Sequence, residues 1–158
     1  DLVTTKLANL PHINIAAKYE VLGNIGITLL TDPTPQELTQ MVATVQGQLE
    51  LVLSEYQDVI RVSSSYNQLT EVAEDMWVAI SLASSEGARK GEAKLLLSSL
   101  IELCIELTAL SKTYDSTISR LKLTYEALSR QITLLQVRVG LQELRRPDTL
   151  DGYADVRG

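Results

Sequence analysis

Apolar residues recur at alternating steps of three and four through residues 97–139 of this sequence. This spacing is the a/d pattern of a coiled-coil seam, and only one of its positions, Ser111, is polar. We therefore predict a long helix with one continuous apolar stripe. Its seam positions are Leu97, Leu100, Cys104, Leu107, Ser111, Tyr114, Ile118, Leu121, Tyr125, Leu128, Ile132, Leu135 and Val139.

A second seam with the same alternation precedes the first, and its start carries strong helix signals. Thr34 suits the N-cap, Pro35 suits the first helical position, and Glu37 completes a capping box. We predict a helix over residues 35–84. Its seam positions are Leu38, Val42, Val45, Leu49, Val52, Tyr56, Val59, Ser63, Tyr66, Thr70, Ala73, Trp77 and Ile80.

The segment between the two seams is short and hydrophilic. Residues 85–91 contain two glycines, so we predict a loop there and a second long helix over residues 92–146. A short link makes the two helices antiparallel neighbours, so the predicted fold class is all-α, a long antiparallel helical hairpin. A short amphipathic helix over residues 13–30 precedes the hairpin, and we expect it to pack at the base.

We expect residues 1–146 to form a single helical domain, followed by a flexible C-terminal tail over residues 147–158. The alternative is a compact four-helix bundle. In that fold the first long helix would break at residues 63–65, because a run of three serines is a poor helix former.

We set an antiparallel register by placing the first residue of the earlier seam opposite the last residue of the later seam. This register pairs large side chains with small ones. It places Ser63 opposite Tyr114, and Ala73 opposite Cys104. Such pairs keep the spacing between two helices constant. The predicted intrachain seam comprises Val45, Leu49, Val52, Tyr56, Val59, Tyr66, Trp77, Leu100, Tyr114, Ile118, Leu121, Tyr125, Leu128 and Ile132.

Both helices carry more apolar residues than one seam uses. Near the base, Leu134, Val137, Leu141 and Leu144 form an additional set that the N-terminal helix could cover. Near the tip of the hairpin the sequence offers no further segment as a cover, and exposed apolar surface of this extent marks an interface. The predicted interface for self-association or partner binding consists of Leu69, Val72, Met76, Ala79, Leu96, Ile101 and Ile105.

The net charge of the chain argues against one class of binding partner. The chain has 20 acidic and 14 basic residues, a formal charge of -6 at pH 7, which argues against general nucleic-acid binding. A homodimer or a helical partner protein is the preferred expectation. The alternative function is a membrane-active protein that inserts residues 13–30 or 95–110, although carboxylates within both segments oppose insertion.

The sequence offers little for catalysis, and we expect a non-enzymatic assembly, scaffold or adaptor module without metal or cofactor. His12 is the only histidine, which excludes metal motifs that need two histidines and any Ser-His-Asp set that does not include His12. Glu102 and Glu106 lie one helical turn apart and are the only candidate acid/base pair, but a solvated strip is the simpler interpretation. Cys104 lies in a seam and suits a buried small hydrophobe. The chain begins at Asp1, so we expect a processed product or a fragment.

Overall fold

The computed structural model describes residues 12–144, and the predicted all-α fold class is confirmed. The described residues are 85% helical, contain no strand, and have two long helices that pack extensively against each other. The predicted helix end at residues 145–146 and the tail at 147–158 lie outside the described residues. The helices are α1 (Ile15–Gly23), α2 (Pro35–Ile80), α3 (Glu86–Leu96) and α4 (Ser98–Leu144).

Helix α2 starts at the predicted capping box. The Thr34 hydroxyl oxygen accepts a hydrogen bond from the Glu37 amide at 3.2 Å, and the hydroxyl donates to the Glu37 carboxylate at 3.1 Å. The helix then continues without a break through residues 63–65. Ser63 is buried, and Ser65 Oγ donates to the Arg61 carbonyl at 3.0 Å, a local bond that helices accommodate. The alternative in which α2 folds back at these serines is therefore wrong.

Helix α1 is shorter than the predicted helix over residues 13–30. Asn14 caps its start, since the Asn14 side chain accepts a hydrogen bond from the Ala17 amide at 3.1 Å. The helix ends at Gly23, and Gly26 has a φ of 146°, a backbone conformation that a helix cannot contain. Residues 24–34 are therefore a non-helical connector.

The predicted loop over residues 85–91 is also wrong, because this segment belongs to helix α3. Ser85 is its N-cap, accepting a hydrogen bond from the Ala88 amide at 3.1 Å, and Lys90 pairs with Glu86 at 2.8 Å. The Lys90 ammonium lowers the pKa of the Glu86 carboxyl through this hydrogen bond and its charge. The actual connector is residues 81–85, and Leu97 separates α3 from α4. The two long helices consequently span Pro35–Ile80 and Ser98–Leu144 rather than residues 35–84 and 92–146.

The chain divides into two compact units. Among the described residues, unit 1 contains residues 12–25 and 50–119, and unit 2 contains residues 26–49 and 120–144. The single helical domain over residues 1–146 stays a prediction.

Unit 1 contains α1, α3 and parts of α2 and α4, and it holds a cluster formed by Val62, Tyr66, Cys104 and Leu107. Four partly buried side chains pack against this cluster: Ile13 just before α1, Ile15 at the start of α1, and Leu100 and Leu103 of α4. Farther along α1, Lys18 approaches Glu55 of α2. Because higher α1 numbers meet lower α2 numbers, α1 runs antiparallel to α2.

Unit 2 has the first four turns of α2 beside the last part of α4. Its buried side chains include Leu38, Val45, Leu121 and Leu128. Gln46 Nε2 donates to the Tyr125 hydroxyl at 3.4 Å across the two helices. The Gln48 side chain donates to the carbonyl of Gly26 at 3.1 Å and so fixes the connector to α2.

Candidate interaction surfaces

The structure places every residue of the predicted intrachain seam in a buried or half-buried position. Val45, Val52, Val59 and Tyr114 are fully buried. The outer members of the two patterns differ, since Ile80 and Val139 are exposed at 68% and 46%. The apolar stripes are thus covered along most of their length and exposed only at their C-terminal ends.

A polar network crosses the interior of unit 1. The hydroxyl of the fully buried Tyr114 donates to Glu55 Oε2 at 2.8 Å, and Lys18 Nζ lies 3.6 Å from the same oxygen. Tyr56 stacks on Tyr114 with ring centroids 6.1 Å apart. Burial raises the pKa of the Tyr114 phenol, and the hydrogen bond to the Glu55 carboxylate raises it further. Sequence reasoning missed this network because Glu55 and Lys18 lie beside the stripes rather than in them.

The predicted register is wrong. Tyr114 stacks on Tyr56, one heptad before the predicted Ser63. The Cys104 thiol lies 3.2 Å from the Thr70 hydroxyl, where Ala73 was expected. The connector lies at residues 81–85 and a break follows α3, so the turn comes earlier in the sequence than a loop at 85–91 implied.

The predicted interface does not form one surface. Leu69 is buried at 5% exposure, so it belongs to the interior of unit 1. Ile101 and Ile105 line a groove of about 450 Å³ together with Asn67 of α2. Val72 and Met76 lie roughly 140° and 180° around α2 from Asn67, on the other side of the helix. Of the remaining members, Ala79 and Leu96 are exposed.

Four strongly exposed apolar residues of unit 1 lie at the end of α2, in the connector and at the end of α3. We name Ile80, Leu82, Leu95 and Leu96 the tip surface, and each is at least 61% exposed. Ile80 and Leu82 border a pocket of about 470 Å³ whose wall includes Trp77. Three of these four residues were missing from the predicted interface, since the sequence placed Ile80 in a seam and placed Leu82 and Leu95 within the two long predicted helices.

Two hydrogen bonds hold the tip surface in place. Ser81 Oγ donates to the Glu92 carboxylate at 2.7 Å, which ties the end of α2 to α3. Arg89 Nε donates to the Ala83 carbonyl at 2.9 Å. The connector that carries Leu82 is therefore hydrogen-bonded to α3 at two points.

Unit 2 exposes a further apolar set on α4. Leu134, Val137, Leu141 and Leu144 are all at least 50% exposed. We expected the N-terminal helix to cover them, but the structure places α1 in unit 1, against Val62 and Tyr66. The helix that we expected to cover these four residues therefore packs in unit 1 instead.

The residues considered for catalysis or metal binding lie partly on the surface and partly in the interior. Glu102 and Glu106 are exposed, as is His12. Cys104 is buried. Among residues 12–144, no group of three His, Cys, Asp or Glu side chains could hold a metal ion. Within the same residues, no helix is both long and apolar enough to cross a membrane.

Comparison with known proteins identifies no relative: no protein-family model, curated protein or solved structure matches this chain.

Proposed function

We propose that this chain is a non-enzymatic helical interaction module that docks protein surfaces through exposed apolar helix faces, in an assembly, scaffold or adaptor role. The observation that carries the proposal is the tip surface, in which four large aliphatic side chains are at least 61% exposed and two of them, Ile80 and Leu82, line a pocket. Clustered apolar exposure of this kind is typical of protein–protein interfaces.

The order of the tip surface supports docking rather than general adhesion. The bonds of Ser81 to Glu92 and of Arg89 to Ala83 fix the connector before a partner arrives. A preorganised surface loses less conformational entropy on binding than a mobile one. The pocket between Trp77 and Leu82 would receive an apolar side chain of the partner, as central anchors of interfaces do.

The binding free energy that the tip surface could contribute is of the size that protein association requires. Burying an aliphatic side chain contributes about 1.5–3 kcal/mol, so four would contribute roughly 6–12 kcal/mol. Association costs about 4–15 kcal/mol in lost translational and rotational freedom. The tip surface would therefore supply a large share of a binding free energy, with the remainder coming from contacts around it.

The test compares two matched pairs of substitutions. Ile80→Asp with Leu82→Asp places charges on the tip surface, whereas Leu29→Asp with Leu30→Asp changes two equally apolar exposed residues of unit 2. Proteins that bind the wild-type chain are captured from its source cells and quantified on all three baits. We expect the tip variant to lose a specific partner about tenfold or more, corresponding to at least about 1.4 kcal/mol, and the control to keep it.

Equal retention by both variants would contradict the proposal. Circular dichroism of each variant provides the folding control, and both should keep the wild-type helix content because all four residues are exposed.

A further inference from the structure

Helix α4 carries a second apolar stripe in unit 2. From residue 123 to residue 144, seven exposed positions follow each other at alternating steps of four and three, which is again the a/d spacing of a coiled coil. Its five large aliphatic members are between 50% and 78% exposed. We name this set the outer stripe: Leu123, Ala127, Arg130, Leu134, Val137, Leu141 and Leu144.

The outer stripe is distinct from the seam that α4 uses inside its own unit. Leu121 and Leu128 are buried at 2% and 1% exposure. Leu134 lies roughly 120° around the helix from Leu128, so the two stripes occupy different faces. Unit 2 thus buries one heptad stripe of α4 and leaves the other uncovered by any described residue.

We propose that the outer stripe is the seam of a homodimer in which two α4 helices pack antiparallel. The a/d spacing of the outer stripe suits packing against another helix, because α4 already buries a second stripe with this spacing inside unit 2. A second copy of the chain presents an identical stripe, and a two-fold axis lets each stripe cover the other. The dimer goes beyond the proposed docking function, because its residues are separate from those of the tip surface.

Arg130 selects the antiparallel orientation. In a parallel dimer in register, Arg130 would face its own copy within the seam, and like charges placed there are unfavourable. In the antiparallel arrangement Arg130 faces Leu134 of the second copy. Its guanidinium stays near Glu126 of its own helix, from which it lies at 3.8 Å. The same alignment sets the small Ala127 opposite Val137 of the second copy.

The available area indicates a reversible dimer. The usual relation between transfer free energy and area gives about 60–120 Å² for each aliphatic side chain. Leu144 faces a position outside the outer stripe in this alignment, so four aliphatic side chains on each copy bury roughly 480–960 Å² in total, which is the size of a weak interface. The dimer should therefore form and dissociate with protein concentration.

Sedimentation equilibrium tests the dimer from about 1 μM to about 100 μM, a range that covers weak association. The wild type is compared with Val137→Asp/Leu141→Asp in the outer stripe and with Ile80→Asp/Leu82→Asp in the tip surface. We expect a monomer–dimer equilibrium for the wild type and the tip variant, and a monomer for the outer-stripe variant. Circular dichroism should show unchanged helix content, because Val137 and Leu141 are at least half exposed.

Three outcomes overturn the dimer. A wild-type monomer at the highest concentration excludes it and leaves the tip surface untouched as a docking site. A dimer that survives the outer-stripe charges but dissociates in the tip variant assigns self-association to the tip surface. Binding of monomeric wild type to vesicles of neutral or anionic phospholipid, lost in the outer-stripe variant, would also overturn it by assigning the stripe to a membrane.

Disulfide crosslinking in a Cys104→Ser background tests the orientation and does not depend on the charged variants folding. A protein with Leu123→Cys is mixed with one carrying Leu141→Cys, residues that face each other in the antiparallel alignment. We expect a mixed disulfide from this pair and none from Leu144→Cys alone, whose copies lie at opposite ends. Ready crosslinking of Leu144→Cys with itself would show a parallel dimer and overturn the orientation.

Discussion

Helix α4 has two very different environments along one unbroken length. In unit 1 its residues Leu107, Leu110 and Tyr114 are at most 1% exposed. In unit 2 the same helix keeps Leu121 and Leu128 buried but leaves five large aliphatic residues at least half exposed. The periodicity of the sequence is similar in both stretches, so periodicity alone does not determine burial.

The difference follows from the number of helices in each unit. Unit 1 contains α1 and α3 as well as parts of α2 and α4, and Ile13 and Ile15 pack onto the cluster around Tyr66. Unit 2 contains only α2 and α4 as described helices. A third helix covers a second stripe, whereas a helix pair covers one stripe on each helix. An uncovered second stripe therefore marks the place where another helix fits.

The largest expected effect comes from removing the ring at the centre of unit 1. Tyr114→Ala should lower the free energy of unfolding by about 3–5 kcal/mol, because it empties a fully buried site. Leu123→Ala, on the exposed stretch of α4, should change it by no more than about 0.5 kcal/mol. Urea denaturation of both variants measures the contrast. Similar losses would mean that Leu123 is already buried, as in a dimer at the concentration used.

A disulfide tests the observed register of unit 1. Thr70→Cys would place a second thiol beside Cys104, since the present oxygen–sulfur distance is 3.2 Å. On mild oxidation we expect an intrachain disulfide that stabilises the protein by about 2–4 kcal/mol. Ala73→Cys is the matched control, because the register predicted from sequence would bring that position to Cys104. Mass spectrometry after digestion identifies the bond, and preferential linkage of Ala73→Cys would restore the predicted register.

The sequence sufficed for the fold class and for the capping box at Thr34, because both depend on local periodicity and local hydrogen bonds. It failed where distant residues decide. The register depends on where the turn lies, and the Ser85 cap turns the predicted loop into helix α3. The site of α1 depends on the shape of the Val62–Leu107 cluster. No periodicity indicates that Val72 and Ile101 lie on different sides of the helix pair.

A smaller effect should follow from removing only the Tyr114 hydroxyl. Tyr114→Phe keeps the ring but deletes the 2.8 Å hydrogen bond to Glu55, which should cost about 1.5–3 kcal/mol at neutral pH. Folding raises the pKa of Tyr114, so the folded state binds this proton more tightly than the unfolded state. That contribution is complete below the ordinary tyrosine pKa of about 10 and is lost as the pH rises above it.

Alkaline denaturation measures this contribution directly. Above about pH 10 the wild type should lose stability more steeply than Tyr114→Phe, by up to about 1.4 kcal/mol per pH unit. The phenylalanine variant controls for the other tyrosines. Parallel pH profiles for the two proteins would show that Tyr114 does not titrate differently in the folded state.

The smallest expected effect concerns the ion pair between α1 and α2 within unit 1. Lys18→Met keeps the aliphatic stem and removes the ammonium that lies 3.6 Å from Glu55, where both side chains are about a quarter exposed. We expect the free energy of unfolding to fall by about 0.5–1 kcal/mol. For Arg61→Met it should fall by no more than about 0.5 kcal/mol, because the side chains of Arg61 and its partner Asp58 are 70% and 61% exposed.

In the Tyr114→Phe background the loss of stability caused by Lys18→Met should grow, because Glu55 would lose both of its partners while remaining largely buried. Amide hydrogen exchange locates the effect, since α1 should exchange faster while α4 is unchanged. An equal loss in both backgrounds would show that Lys18 and Tyr114 act on α1 independently.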